Sequence, residues 1–232
     1  MKQKEQKIRN VIVGTPSYDG KLDVWYVNSL IETMRLCAAN GINVNPFSIS
    51  YDAMIQRARN DIVKMALQVG VDDLVFIDAD MEWKPQDFIR LLSHNVDLVA
   101  GTARKKTDAA ELYAVRILEG SNDLIIDKKT GLIEVGGVGC AFTRMTNRCM
   151  EMLWKKAPKY KDDNRGGESR LIFNVTVENG ALCSEDTSMC NLWRSLKQKV
   201  WFDYKITCGH IGTKKYEGNF EAWMMRQAVR TT

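Results

Sequence analysis

Apolar and polar positions change their spacing several times along the chain, and each change predicts an element. Residues 8–14, IRNVIVG, form a compact apolar run ended by Gly14, which predicts a buried strand. The loop TPSYDGKLD follows, then a helix from about Val24 to Asn40 that Gly41 closes. INVNPFSIS predicts a second strand. Between Tyr51 and Val69, residues Met54, Ile55, Ala58, Ile62, Met65, Ala66 and Val69 fall on one helical face, and Gly70 ends that helix. DDLVFIDAD carries the continuous apolar run of a central strand covered on both faces. KPQDFIRLLSHN is a short helix with Pro85 near its start, and VDLVAGTAR is another strand. This alternation over residues 8–103 predicts an α/β sandwich on a largely parallel sheet.

The pattern then loosens. ELYAVRILEG and GLIEVGGVGCAFTRMT predict strands joined by a polar turn, so antiparallel pieces enter here. RCMEMLWKKA is a helix, KYKDDNRGGESR a charged glycine-containing loop, and SEDTSMCNLWRSLKQ another helix. KVWFDYKITC is a strand, and NFEAWMMRQAVR an amphipathic helix at the tail. No internal repeat or low-complexity linker interrupts the pattern.

With 232 residues, 45% of them hydrophobic, the chain can bury one substantial core, and a single domain spanning 1–232 is expected. A formal net charge of +4 permits an anionic ligand without demanding nucleic acid. Six cysteines, Cys37, Cys140, Cys149, Cys183, Cys190 and Cys208, show no C-x-x-C spacing. That argues against structural zinc and for free buried thiols in a reducing compartment. The sequence shows no signal peptide and no apolar run of transmembrane length, so a soluble, cytoplasmic protein is expected.

The chemistry gathers at LVFIDADMEWKPQDFIRLL, where a buried strand ends in Asp78 and Asp80. Residues i and i+2 of a strand share a side, so the two carboxylates converge if the strand persists through Ala79. Open α/β sheets bind ligands beyond the carboxyl ends of their strands. Two hard oxygen ligands there suit Mg²⁺ or Mn²⁺ bridging to phosphates. Asp is also common in turns that end strands, and that reading competes.

Four further segments accompany this one in order. VIVGTPSYDG, IQRARNDIVKMAL, VGGVGCAFTR and ENGALCSEDTSMCNLWRSLKQKVWFD precede a final CGHIGTKKY. Together with D-x-D, this set resembles the nucleotide-sugar glycosyltransferases of the GT-A fold, and is nearest in kind to small stand-alone enzymes of large DNA viruses and phages. The resemblance covers most of residues 8–216. It implies a Rossmann-like three-layer sandwich with a mainly parallel central sheet and a small antiparallel C-terminal portion.

The resemblance also implies roles. Asp80 and His210 would hold the cation, with Asp78 reaching the ribose or the metal through water. Thr15, Pro16, Ser17, Tyr18 and Asp19 would form the nucleotide loop, Tyr18 stacking on the base. Arg57, Arg59 and Asn60 lie on the polar face of the second helix, with Arg59 or Asn60 beside the nucleotide. Gly137 and Gly139, with Gly136, would line the sugar pocket, and Lys214 with Lys215 would neutralise the diphosphate. Asp186, in the pattern E-D-x-x-x-x-x-x-W-R-x-L behind a possible N-cap at Ser184, would be the base of an inverting displacement, with Glu185 orienting a neighbour. The bland alternative is that acidic residues suit a helix start. His94 reads as a surface residue. Retaining members share the metal site, so stereochemistry stays open.

The partners implied are a nucleotide-diphosphate sugar and a hydroxyl acceptor, either a glycan or a modified base in phage DNA. For DNA, the basic positions Arg104, Lys105, Lys106, Lys155, Lys156, Lys159, Lys161 and Arg165 would form an electropositive rim. Two other functions compete. A nucleotidyltransferase shares the sandwich, but the opening GTPSYDGKLD lacks its glycine-rich loop and Arg. A catalytically inactive glycan or nucleic-acid binding module would not need Asp78, Asp80, Asp186 and His210 together.

Overall fold

The computed structural model describes residues 8–120, 123–162 and 167–228. The N-terminal MKQKEQK, Arg165 of the charged loop, and the end of the tail helix expected to reach Arg230 lie outside the described residues. The strands are β1 (Arg9–Ser17), β2 (Ile42–Ser50), β3 (Asp73–Ile77), β4 (Met81–Glu82), β5 (Leu98–Ala103), β6 (Val115–Arg116), β7 (Ile133–Val135), β8 (Gly137–Val138), β9 (Phe142–Thr146), β10 (Lys159–Lys161), β11 (Glu168–Arg170), β12 (Thr176–Glu178), β13 (Ala181–Cys183), β14 (Val200–Ile211) and β15 (Lys215–Tyr216). The helices are α1 (Val24–Ala39), α2 (Ile55–Val69), α3 (Pro85–Ser93), α4 (Asn147–Lys156), α5 (Glu185–Ser195) and α6 (Phe220–Ala228).

The main sheet runs β15-β14-β5-β9-β3-β1-β2, with β4 and β7 also bonded to β14. β1 is parallel to β2 and β3, and β14 is parallel to β5. The fold is therefore the expected α/β sandwich on a mainly parallel sheet, with β4 and β15 antiparallel to the end of β14. In addition, β9 runs antiparallel in the middle, between β3 and β5.

Strand alternation divides the core between two faces. Ile12, Leu74 and Phe76 pack with Ile62 of α2 and Trp193 of α5, while Val11, Val13, Val75 and Ile77 pack with Tyr26 of α1 and Phe88 of α3. Gly14 is required where α2 crosses β1: a Cβ there would lie 2.4 Å from Ile62 Cγ2 and 2.9 Å from Leu74 Cδ1.

Several expectations shift in the structure. α2 begins at Ile55 rather than Tyr51, because Tyr51 has φ 60° and the Asp52 carboxylate accepts from Met54 N in an Asx turn. Met54 and Ile55 are consequently exposed rather than part of the buried face, and Val69, at the far end of the helix, is exposed as well. The glycine-rich run breaks into β7, β8 and β9, and β6 is only two residues long. The charged loop carries the β10–β11 hairpin. A further hairpin, β12–β13, turns at Asn179 and Gly180, both at positive φ, as an Asn-Gly turn favours. His94 is not a surface residue: its Nε2 lies 2.7 Å from Oδ2 of Asp203, a fully buried carboxylate that also accepts from Arg90. The six cysteines are free, and all but Cys183 are buried.

Candidate active site

Two pockets form the candidate site, the first beyond the carboxyl ends of β1 and β3 and the second between β6, β8 and the start of α5. The first, of about 540 Å³, is lined by Pro16, Ser17, Tyr18 and Asp19 from the β1–α1 loop, by Asp52 and Ile55 before α2, and by Asp78, Asp80 and His210. The loop is tied to the acidic segment, because Asp23 N donates to the Ala79 carbonyl at 3.0 Å while the Asp23 carboxylate caps α1. Tyr51 N donates to the Ser17 carbonyl, which joins the ends of β1 and β2.

β3 stops at Ile77, and Asp78–Ala79–Asp80 is a turn closed by Met81 N to the Asp78 carbonyl. The expected same-side convergence of the two carboxylates is therefore lost. Asp78 turns inward to Arg59, its Oδ1 accepting from Nη2 at 2.9 Å. Asp80 turns outward, with Oδ1 3.6 Å from His210 Nε2 and Oδ2 2.5 Å from Lys106 Nζ. Burial raises the Asp80 carboxyl, but bonds from His210 and Lys106 outweigh it and hold the pKa below its ordinary value. His210 lies within β14 rather than after it, and its Nδ1 sits 2.9 Å from the Arg104 carbonyl. That carbonyl can only accept, so Nδ1 carries a proton, and Nε2 faces Asp80.

The second pocket, of about 230 Å³, is lined by Lys105, Tyr113, Gly137, Gly139, Ser184 and Asp186, among others. Ser184 caps α5, its hydroxyl accepting from Thr187 N, and this sets Glu185 and Asp186 in the first turn. Glycine is needed in the facing wall. A Cβ on Gly139 would lie 3.0 Å from Ala114 Cβ, whereas Gly136 lines a separate pocket with Arg116 and Asn191.

Arg59 stands between the two pockets with its side chain only 2% exposed. Its Nη1 donates to Glu185 Oε1 at 2.6 Å and to Asp186 Oδ1, and its Nη2 reaches Asp78. Burial opposes the charge on Arg59, but Asp78, Asp186 and Glu185 outweigh it and keep the guanidinium charged. Burial pushes Asp186 up to about 6 against the pull of Arg59, with Glu185 and Asp78 adding to the rise. The buried Cys140 thiol hydrogen-bonds Asp186 from below.

The remaining expected residues lie apart. Thr15 is under the cleft, bonded to the Tyr26 hydroxyl. Asn60 is fully buried, and its side chain holds the backbone of Ile172 and Phe173. Arg57 grips Asp52 through two bonds, so it reaches the cleft only through that carboxylate. Lys214 pairs with Asp108 at 2.6 Å and does not line the cleft. Sequence reasoning missed Asp52, whose only signal was a polar residue just before a helix. It also placed Lys106 in a basic rim for an anionic acceptor rather than beside Asp80.

No protein-family model matches the sequence, and no curated protein matches it. Among solved structures, the chain is similar to A197 from STIV, with TM-score 0.52 and 17% identity over 91% of this chain and 94% of that one. The Rossmann-like α/β fold is thus shared with A197. The inositol-1-phosphate CTP transferase from T. maritima gives TM-score 0.43 and 7% identity, covering 91% and 89%. A glycosyltransferase involved in glycosylation of the major capsid of PBCV-1 gives TM-score 0.32 and 9% identity, covering 62% and 65%.

Proposed function

We propose that the protein transfers a sugar from a nucleoside-diphosphate sugar, bound in the 540 Å³ cleft, to a saccharide hydroxyl in the 230 Å³ pocket. The observation that carries this reading is Arg59, whose buried guanidinium joins Asp78 of the donor cleft to Asp186 of the acceptor pocket. Donor and acceptor thus meet at one fixed charge. Tyr18, 75% exposed at the cleft wall, offers a ring on which a base can stack.

Asp80 and His210 fit a divalent cation as a two-ligand site, pairing a carboxylate with an imidazole whose Nε2 faces it. Among the described residues no set of three His, Cys, Asp or Glu side chains forms a ligand cluster, so the other positions fall to donor oxygens. The mixed oxygen and nitrogen donors favour Mn²⁺ while admitting Mg²⁺. When bound, the ion takes up charge on the departing diphosphate. Lys106, already against Asp80, adds a second positive charge there.

Asp186 acts as the base. A pKa raised to about 6 makes it more basic than an ordinary carboxylate while leaving it mostly ionised at neutral pH. It takes the proton from the acceptor hydroxyl, whose oxygen bonds to the anomeric carbon as the bond to the diphosphate breaks. The leaving nucleoside diphosphate keeps the electron pair, and configuration at that carbon inverts. Glu185 and Cys140 hold Asp186 and Arg59 in place.

Charge pairing supports a saccharide over DNA as acceptor. Lys106 and Lys159 of the basic set are matched by Asp80 and Glu168, which leaves less positive charge for phosphates. A nucleotidyltransferase would not need a base in a second pocket. The test is a thermal-shift screen of nucleotide sugars with Mn²⁺, followed by transfer assays with saccharides. A donor that binds only the folded state must raise the melting point. No shift from any nucleotide sugar would reject the reading.

A further inference from the structure

A third cavity, of about 640 Å³, lies behind the β4–β14 ladder and is larger than either pocket of the candidate active site. Strand alternation separates the two sides: His210 lines the donor cleft, while Gly209 and Glu82 line this cavity. Its floor is one face of α1, where Trp25, Asn28, Ser29 and Glu32 recur at i, i+3, i+4 and i+7. Opposite stands Gln86, in the first turn of α3, a helix whose N-cap residue Lys84 makes no side-chain capping bond.

Trp25 is the unusual member. Buried Trp83 nearby faces the core, yet Trp25, on α1, is 46% exposed among amides and carboxylates. The ring is held in place. Lys215 lies over it at 5.0 Å, and its ammonium is fixed by Glu82 at 2.5 Å and Glu217 at 2.9 Å. Gly209 makes room for this arrangement, because a Cβ there would sit 2.8 Å from Glu82 Oε2 and 3.1 Å from Lys215 Cε. The cation is thus neutralised by its own neighbours, and an anionic ligand would meet Glu32, Glu82 and Glu217.

We propose that this cavity is a saccharide-binding site, separate from the transfer site and taking a neutral sugar unit. A pyranose has an apolar C–H face and a rim of hydroxyls. The exposed part of the Trp25 ring can cover the first, while Asn28, Glu32 and Gln86 accept from or donate to the second. The pre-set indole lowers the ordering cost of binding. This inference stands apart from the proposed transfer, since none of its residues belongs to the donor cleft or to the pocket of Asp186.

The experiment is a printed array of neutral oligosaccharides probed with the whole protein, the strongest hit then being titrated by calorimetry against wild type, Trp25→Ala and Gln86→Ala. The site predicts that Trp25→Ala weakens binding at least tenfold and Gln86→Ala several-fold. Melting temperature and the response to nucleotide sugars should stay unchanged. Binding indifferent to Trp25→Ala would overturn the proposal, as would an array with no hit. Capture of a basic peptide such as oligolysine in the cavity, with no saccharide response, would overturn it too. Failure of the transferase reading alone would appear as lost nucleotide-sugar response with this binding intact.

Discussion

Arg59→Met offers a sharp test of the charge arrangement. The substitution keeps a long unbranched side chain but removes the one guanidinium that three carboxylates share at the junction of the two pockets. Breaking a buried ion pair by removing one partner costs about 3–5 kcal/mol, because the abandoned charges stay desolvated. For a chain of this size each kcal/mol moves the melting temperature by about 2–4 °C, so a fall of about 6–20 °C is expected by calorimetry. The sign of the pH dependence follows from Asp186. Arg59 lowers its pKa in the wild type, so in the variant the folded-state pKa climbs above its present value of about 6. A carboxyl whose folded pKa lies above its unfolded one penalises folding at high pH, and the penalty fades as pH falls toward the unfolded value. The deficit of Arg59→Met should therefore shrink between about pH 8 and pH 5. Adding Asp186→Asn should restore part of the loss, since it removes one abandoned charge. An unchanged melting temperature, or a deficit that widens on acidification, would refute this account.

Asp80→Ala should abolish metal-stimulated transfer while the protein stays folded, because Asp80 is a partly exposed turn residue; full activity of that variant in chelator would end the cation assignment. The transfer rate should rise with pH through about 6 and then level off, because Asp186 must be ionised to act and burial has raised its pKa; a flat profile across that range would exclude it as the base. His94→Ala should destabilise the protein by about 1.5–3 kcal/mol, the worth of a hydrogen bond to a charged group, read by urea denaturation. In the wild type, burial raises the Asp203 carboxyl, but His94 and Arg90 more than offset this and depress its pKa. That stabilisation is present above the unfolded carboxylate pKa and is lost as pH falls through the folded one.

The alternating apolar runs made the sheet legible, since β1, β3 and β5 are buried on both faces and so carry uninterrupted hydrophobic sequence. That antiparallel strands enter in GLIEVGGVGCAFTRMT was legible, but the place of β9 between β3 and β5 was not, because strand order depends on contacts between segments far apart in the chain. For the candidate site, Asp80, His210, Asp186 and the loop from Pro16 to Asp19 were singled out from the sequence, and the structure sets Asp80, His210 and the loop around one pocket and Asp186 on the wall of another. Which partner each would take was hidden. Asp78 and Asp80 diverge only because the chain turns at Ala79, and one residue of strand conformation more or less decides it. Asn60 and Arg59 are adjacent in sequence, yet one anchors Phe173 and the other governs the carboxylates, a difference set by the α2 phase against the loop at 171–173. His94 looked peripheral because its partner, Asp203, lies 109 residues away.

The most direct measurement of the central claim is the anomeric configuration of the first-formed product, followed by proton NMR from a donor of known configuration, with Asp186→Asn run in parallel. The account predicts inverted product from the wild type and a turnover lower by about 10²–10⁴-fold in the variant, the usual worth of a positioned base, with donor affinity unchanged. Product with the donor's own configuration, or an Asp186→Asn protein that turns over at the wild-type rate, would contradict it.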